Sequence, residues 1–206
     1  MNLTEIIRAV QKAVGVDVDG KPGPQTWEAI YNRVVPQPAT GGAPNPDVNA
    51  VDTTVDDRSE QTIATLLPEV RPYARALVNK AAATGITIKA ISGLRTYAEQ
   101  DALYAQGRTK PGPIVTHARG GYSNHNFGVA FDIGVFEEDK WIPESPKYKA
   151  VGTLGTDLGL EWGGNWTTIV DEPHFQLRPK WAADMTESNM LAELRSRKDS
   201  GTGVYV

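Results

Sequence analysis

The chain has 206 residues, a formal net charge of −4 and no cysteine, which rules out disulfides and thiolate metal ligands. A mildly acidic chain with no basic cluster argues against nucleic acid as a partner. No apolar run approaches a membrane span, and Met-Asn-Leu-Thr-Glu-Ile-Ile-Arg at the amino end lacks the basic-then-apolar order of a secretory signal. Neither membrane insertion nor ordinary export is expected.

Residues 1–35 form a first unit. Ile6, Ile7, Val10, Ala13 and Val14 make a helical apolar stripe that Gly15 ends. A turn through Asp17 to Gly23 leads to a second helix with Pro24 at its first position, and Trp27, Ile30, Tyr31 and Val34 are expected on its buried face. Asp17 and Asp19, with Glu28 eleven residues after the first, fall short of a calcium loop: Lys21 and Pro22 stand where it needs an oxygen ligand and then a glycine. They are read as solvated turn carboxylates. The run Gln11-Lys-Ala-Val-Gly with Asp19-Gly20-x-x-Gly23-Pro24-x-Thr26-Trp27 resembles the small helical peptidoglycan-binding repeat of wall hydrolases. Residues 36–58, rich in Pro, Gly, Ala, Asn and Asp, read as a partly extended linker.

A main domain is expected over residues 59–198, with 199–206 a loosely ordered tail. Helical sequence starts near Ser59 and breaks at Pro68; a longer helix to Thr84 turns Val70, Tyr73, Ala74, Leu77, Val78 and Ala81 inward. Ile86 to Ser92 alternates as a strand. Thr96 with Glu99 is a capping box opening a helix that packs through Ala98, Leu103 and Tyr104 and stops at Gly107. Gly107 to Tyr122 is a long polar loop fit for the rim of a site. Phe136 to Thr156 reads as a variable loop and short helix, Trp162 as core packing, and Met185 to Arg195 as an amphipathic helix through Met190, Leu191 and Leu194.

The chemistry concentrates in Ser123-Asn-His-Asn-Phe-Gly-Val-Ala-Phe-Asp-Ile-Gly134. Read as a strand, Val129, Phe131, Ile133 and Val135 point one way, and Ala130, Asp132 and Gly134 the other. His125 lies an odd number of residues before Asp132, so the chain must bend near Gly128 to bring both to one point. Of the other two histidines, His117 sits in a polar loop, whereas His174 sits in the strand-like run Asp171-Glu172-Pro173-His174-Phe175-Gln176-Leu177 and is the better third ligand. Two imidazoles and one carboxylate, with the fourth position left to water, is how catalytic zinc is held.

Ser123-x-His125-x-x-Gly128-x-Ala130-x-Asp132 followed by Asp171-x-x-His174 resembles the signature of the zinc D-alanyl-D-alanine carboxypeptidase and L-alanyl-D-glutamate endopeptidase family, which cleaves peptidoglycan stem peptides. Five fixed positions arise by chance with a probability on the order of 10⁻⁴ to 10⁻³. The resemblance covers roughly Leu66 to Leu177. It implies an α+β domain in which helices flank a small antiparallel sheet carrying a zinc site, preceded by the all-helical wall-binding module. The metal ligands would be His125, Asp132 and His174, and Asp171, ahead of its rival Glu172, would be the catalytic carboxylate, standing where the family's carboxypeptidases usually carry glutamate. On residues alone, Arg95 reads as a solvated or carboxylate-paired surface arginine. The resemblance instead makes it a catalytic group facing the zinc, with Gln100 supporting the same wall and Ser123 orienting a ligand or a substrate group. His117 stays a surface histidine.

The function implied is that of a zinc peptidase of bacterial peptidoglycan, cutting between L-alanine and D-glutamate, with D-alanyl-D-alanine carboxypeptidase or non-catalytic wall binding as alternatives. The order of modules is similar to that of bacteriophage endolysins, which wait in the host cytoplasm for a holin. A monomer is the simplest expectation.

Overall fold

Apolar and small residues alternate through Ala130–Glu137, and this strand organises the sheet (β2): Phe131, Ile133 and Val135 are fully buried against the helices. The computed structural model describes residues 2–23, 26–27, 29–30 and 54–206. The chain divides into two compact units, one ending at Pro38 and one beginning at Ala39.

In the first unit a helix runs over Leu3–Val14 (α1), opened by a capping box between Asn2 and Glu5 and closed by Gly15 at φ 79°. Of its apolar stripe Ile7, Val10 and Val14 are half-buried while Ile6 is 44% exposed, Trp27 is 59% exposed, and the fully buried side chain of α1 is Gln11. The Gln11 amide donates to Asp19 Oδ1, the Lys21 carbonyl and Thr26 Oγ1, and its oxygen accepts from the Gly20 N–H. Among the described residues a polar hub is the most buried point of α1, because a unit this small offers little apolar surface and a buried amide is tolerated once its hydrogen bonds are made. Asp19 also accepts from the Lys21 N–H; that bond and Gln11 hold its carboxyl below the usual range. It is a structural turn residue rather than a merely solvated one. Pro24, Glu28, Tyr31, Val34 and most of the expected linker, residues 36–53, lie outside the described residues.

In the second unit Asp57–Ala64 (α2) and Arg71–Ala83 (α3) pack on one face of the sheet. Val70, Ala74, Leu77 and Ala81 are fully buried, as the helical stripe predicts. Ile88–Ser92 (β1) pairs antiparallel with β2, with a register shift between Ala90 and Ser92 that sets Ser92 opposite Asp132. Tyr97–Ala105 (α4) carries the predicted capping box and stops just ahead of Gly107 at φ 72°, but Ala98 is exposed and its buried residue is Gln100.

β2 continues past its expected end to Glu137 and turns back into Lys140–Trp141 (β3) through Glu138 and Asp139, both at positive φ. This hairpin replaces the expected loop; nothing in Glu-Asp announces a turn that ordinarily takes Asn-Gly. Lys147–Asp157 (α5) then leads to Glu161–Trp162 (β4) and His174–Gln176 (β5), giving the sheet order β1-β2-β5-β4, antiparallel throughout. The stacked rings of Phe131 and Phe175, 5.9 Å apart, join β2 to β5 beneath the sheet. Trp162 packs against this core, in line with its expected role.

Glu187–Ser200 (α6), capped by Thr186, buries Met190, Leu191 and Leu194 in a second cluster with Phe127 and Val129. The segment beyond it is folded back rather than loose: Tyr205 donates from its hydroxyl to the Leu177 carbonyl, and Trp181 Nε1 donates to the Val204 carbonyl. Together with Val55, which packs on the main core, these contacts carry the folded domain past 59–198 at both ends.

Candidate metal centre

A short 3₁₀ turn, Asn124–Phe127, ends at Gly128 with φ 69°, a left-handed conformation that glycine adopts without strain. That turn is the bend the odd spacing demanded. It swings His125 onto the face opposite Phe131 and Phe175, where β5 sets His174 directly opposite Asp132 in register.

The three side chains meet tightly. His125 Nε2 lies 3.1 Å from Asp132 Oδ1, His174 Nδ1 lies 3.2 Å from the same oxygen, and the two ring nitrogens are 3.2 Å apart. They form a group able to hold a metal ion, found among the described residues. A tetrahedral ion with bonds of about 2.0–2.1 Å needs ligand atoms about 3.3 Å apart, close to the spacing found. The outward nitrogens are occupied: His125 Nδ1 meets the Gly93 carbonyl at 2.8 Å and His174 Nε2 meets Gln176 Oε1 at 3.0 Å. Both of those partners accept, so the outward nitrogens carry the protons and the inward ones present lone pairs. The residues therefore fit a divalent ion held by nitrogen and oxygen.

Burial pushes the Asp132 carboxyl up, but His125 and His174 overcome this and hold it well below the usual range. Burial depresses His174, but the hydrogen bond and charge of Asp132, joined by Gln176 and Asp171, together outweigh that and raise it.

Arg95 is paired with a carboxylate, and that carboxylate belongs to the cluster. Its Nη2 donates to Asp132 Oδ2 at 2.8 Å, Nη1 to Gln100 Oε1 at 3.0 Å and Nε to Ser92 Oγ at 3.1 Å. Asp132 is thus clamped through one oxygen with the other left to the histidines. Gln100, fully buried and donating to Thr116 Oγ1 and the Ala118 carbonyl, has no surface to offer a substrate; it acts only through Arg95. Ser123 is half-buried just before the 3₁₀ turn and its side chain does not cap it. His125 is oriented by Gly93 instead. His117 is exposed.

Asp171 faces the cluster. Burial and the nearby Asp132 charge push its carboxyl up, while His174, His125 and Arg95 pull it back in part. Its backbone N–H donates to the Gly163 carbonyl and its carbonyl accepts from the His174 N–H, which fixes it at the mouth of β5. The backbone of its rival Glu172 is tied to Trp162, whose Nε1 donates to the Glu172 carbonyl at 2.8 Å.

Several participants escape sequence reasoning. Trp166 lies with its ring 4.9 Å from that of His174 and half exposed. Asn126, buried beside His125, donates to the carbonyls of Arg95 and Thr96 and accepts from the Gly121 N–H. It ties the 3₁₀ turn to the Arg95 segment. Gln176 is the one with a readable signal, since a residue two along a strand from His174 shares its face.

A family model described as D-alanyl-D-alanine carboxypeptidase matches residues 116–177. The chain is 41% identical over 124 residues to the peptidoglycan L-alanyl-D-glutamate endopeptidase CwlK of Bacillus subtilis (strain 168), an alignment covering 55% of this chain and 74% of that protein. It is 28% identical over 127 residues to the L-alanyl-D-glutamate peptidase of Listeria phage A118, covering 60% of this chain and 42% of the phage protein, so the chain spans less than half of that relative. Among solved structures, the Serratia marcescens L-Ala D-Glu endopeptidase ChiX superposes with a TM-score of 0.46 at 23% identity, over 63% of this chain and 92% of that one.

Proposed function

Because the chain belongs to the peptidase family that includes L-alanyl-D-glutamate endopeptidases and D-alanyl-D-alanine carboxypeptidases, we propose that it is a zinc-dependent peptidoglycan hydrolase cutting between L-alanine and D-glutamate. The observation that carries the reading is the convergence of His125, Asp132 and His174, with Asp171 beside them.

When bound by those three residues, zinc supplies Lewis-acid chemistry: it polarises a carbonyl and brings the pKa of water to roughly 7. The protein's own residues do the rest. Asp171 takes the proton of the attacking water on its carboxylate and returns it to the leaving amine, a task that suits a carboxyl pushed upward. Arg95 holds Asp132 by Oδ2, and the hydrogens left on its partly exposed guanidinium are proposed to meet negative charge developing on the scissile carbonyl oxygen. The preference for the L-alanyl-D-glutamate bond rests on the resemblance to the Bacillus enzyme.

The first unit is proposed to bind the wall and raise local enzyme concentration on the polymer. The endolysin reading, with release from the host cytoplasm by a holin, draws on the likeness to the phage peptidase, although the Bacillus relative is cellular. Among the described residues no helix is long and apolar enough to cross a membrane.

The test is digestion of purified sacculi with and without chelator, with released termini identified by mass spectrometry. New glutamate amino termini that vanish with chelator support the proposal. Free D-alanine without them would assign the carboxypeptidase activity, and binding without any release after zinc addition would leave a wall-binding protein.

A further inference from the structure

Behind His174, on the side away from the metal-facing nitrogen, five side chains close into a ring of hydrogen bonds. Gln176 and Asn124 are buried, with 1% and 5% of their surfaces exposed. The Asn124 amide donates both to Gln176 Oε1 and to Glu187 Oε1. Gln176 Nε2 donates to Glu161 Oε2 at 2.6 Å. Arg178 closes the ring, donating through Nε to Glu161 and through Nη2 to Glu187 at 2.9 Å. Each carboxylate therefore joins one amide to one guanidinium nitrogen.

The orientation of the Gln176 amide follows from its neighbours. Glu161 can only accept, so it must face the nitrogen of Gln176; Asn124, anchored by the equally acceptor-only Glu187, turns its own nitrogen to the Gln176 oxygen. Reversing Asn124 would set its oxygen against both the carboxylate and the Gln176 oxygen. The structure keeps its present orientation although Asn124 Oδ1 is buried with no partner. Consequently Gln176 Oε1 has one arrangement, as an acceptor 3.0 Å from His174 Nε2, and that fixes the proton on Nε2 and the lone pair on Nδ1.

We propose that Gln176 is a positioning residue for the metal, and that the ring through Asn124, Glu161, Glu187 and Arg178 exists to lock its amide so that His174 offers Nδ1. The inference rests on His174 being a metal ligand, as proposed above. A carboxylate one bond removed from the amide makes Oε1 a stronger acceptor, which raises the basicity of the imidazole. Four of the five residues act from outside β5: Asn124 from the 3₁₀ turn, Glu161 from β4, Glu187 from the first turn of α6 and Arg178 from just past the strand's end.

The experiment uses the full chain and cobalt(II), whose visible absorption reports ligand geometry, with affinity measured against a competing chelator. Gln176→Met keeps the length of the side chain but cannot donate and accepts only weakly through sulfur. It should weaken cobalt binding about 10- to 100-fold and alter the absorption bands. The exchanged pair Gln176→Glu with Glu161→Gln restores every link of the ring and places the carboxylate directly on His174. It should bring affinity back to the wild-type value or tighter, with the wild-type bands. Wild-type cobalt affinity and spectrum in Gln176→Met would overturn the proposal. So would a loss that the exchanged pair fails to rescue while circular dichroism shows it folded, since the ring would then be only structural. A wild-type chain that binds no cobalt would remove the metal reading itself, and this inference with it.

Discussion

Gly163 sits where β4 gives way to the segment leading to Asp171, and a Cβ built on it would stand 2.5 Å from the Asp171 carbonyl oxygen and 3.0 Å from His174 Cβ. Ordinary contact begins at 3.4 Å, so Gly163→Ala must open a gap of about 0.9 Å against backbone that cannot rotate away. The Asp171 N–H to Gly163 carbonyl bond, 3.0 Å long, makes the two segments move together or break it. Overpacking of this kind costs about 1–3 kcal/mol of stability. The larger effect falls on the chemistry: a misplacement near 1 Å costs about 10²-fold in rate. Turnover of a soluble stem peptide, measured at saturating zinc, should fall by about that factor, with a drop of several degrees in Tm. Gly23→Ala, where nothing lies within 4 Å, is the control and should change neither. Wild-type turnover in Gly163→Ala would refute the claim that this contact sets the distance between Asp171 and the metal-binding cluster.

Asp171→Asn should lower kcat by about 10² to 10⁴ while leaving zinc affinity within a few-fold, measured by chelator competition. Arg95→Lys keeps the charge but loses the fork shared among Asp132, Gln100 and Ser92, and should weaken zinc binding roughly 10-fold or more in the same titration. In the chelated protein His174 is raised, so its contribution to stability is fully present below its ordinary value of 6.5 and is lost as pH climbs through the raised value. Asp132 is depressed, and its contribution vanishes only in acid. Metal-free Tm should therefore fall from pH 6 to pH 9, and the stabilisation by added zinc should grow over the same interval.

In the second unit, where apolar side chains repeat with a period, the sequence was readable. The alternation through Phe131, Ile133 and Val135 and the stripe through Val70, Ala74, Leu77 and Ala81 both reappear as core, because burial of apolar surface is non-directional and needs only the right face. The capping box at Thr96 is equally local. The odd separation of His125 and Asp132 predicted a bend, and Gly128 makes it. What stayed hidden depends on direction and on partners far along the chain. Gln11 on a helix looks solvated until the Asp19 to Thr26 turn folds over it. Gln100 likewise looks like a surface or substrate-facing residue until Arg95 and Thr116 close around it. The Glu138–Asp139 turn lacks the glycine that usually marks a hairpin turn, and the fold of the last residues depends on distant partners such as Trp181 and Leu177.

The hydrogen bond from Tyr205 to Leu177, with Glu187 seated in the ring behind His174, bears on how such a domain can be moved between proteins. A segment cut to the homologous stretch 116–177 would carry all three ligands yet leave behind the clamp of Arg95 and the acid that anchors Asn124. The packed contacts of this unit extend from Val55 to Tyr205. For chimaeras with foreign wall-targeting modules, this favours joining them upstream of Val55 and leaving the carboxy-terminal strap untouched.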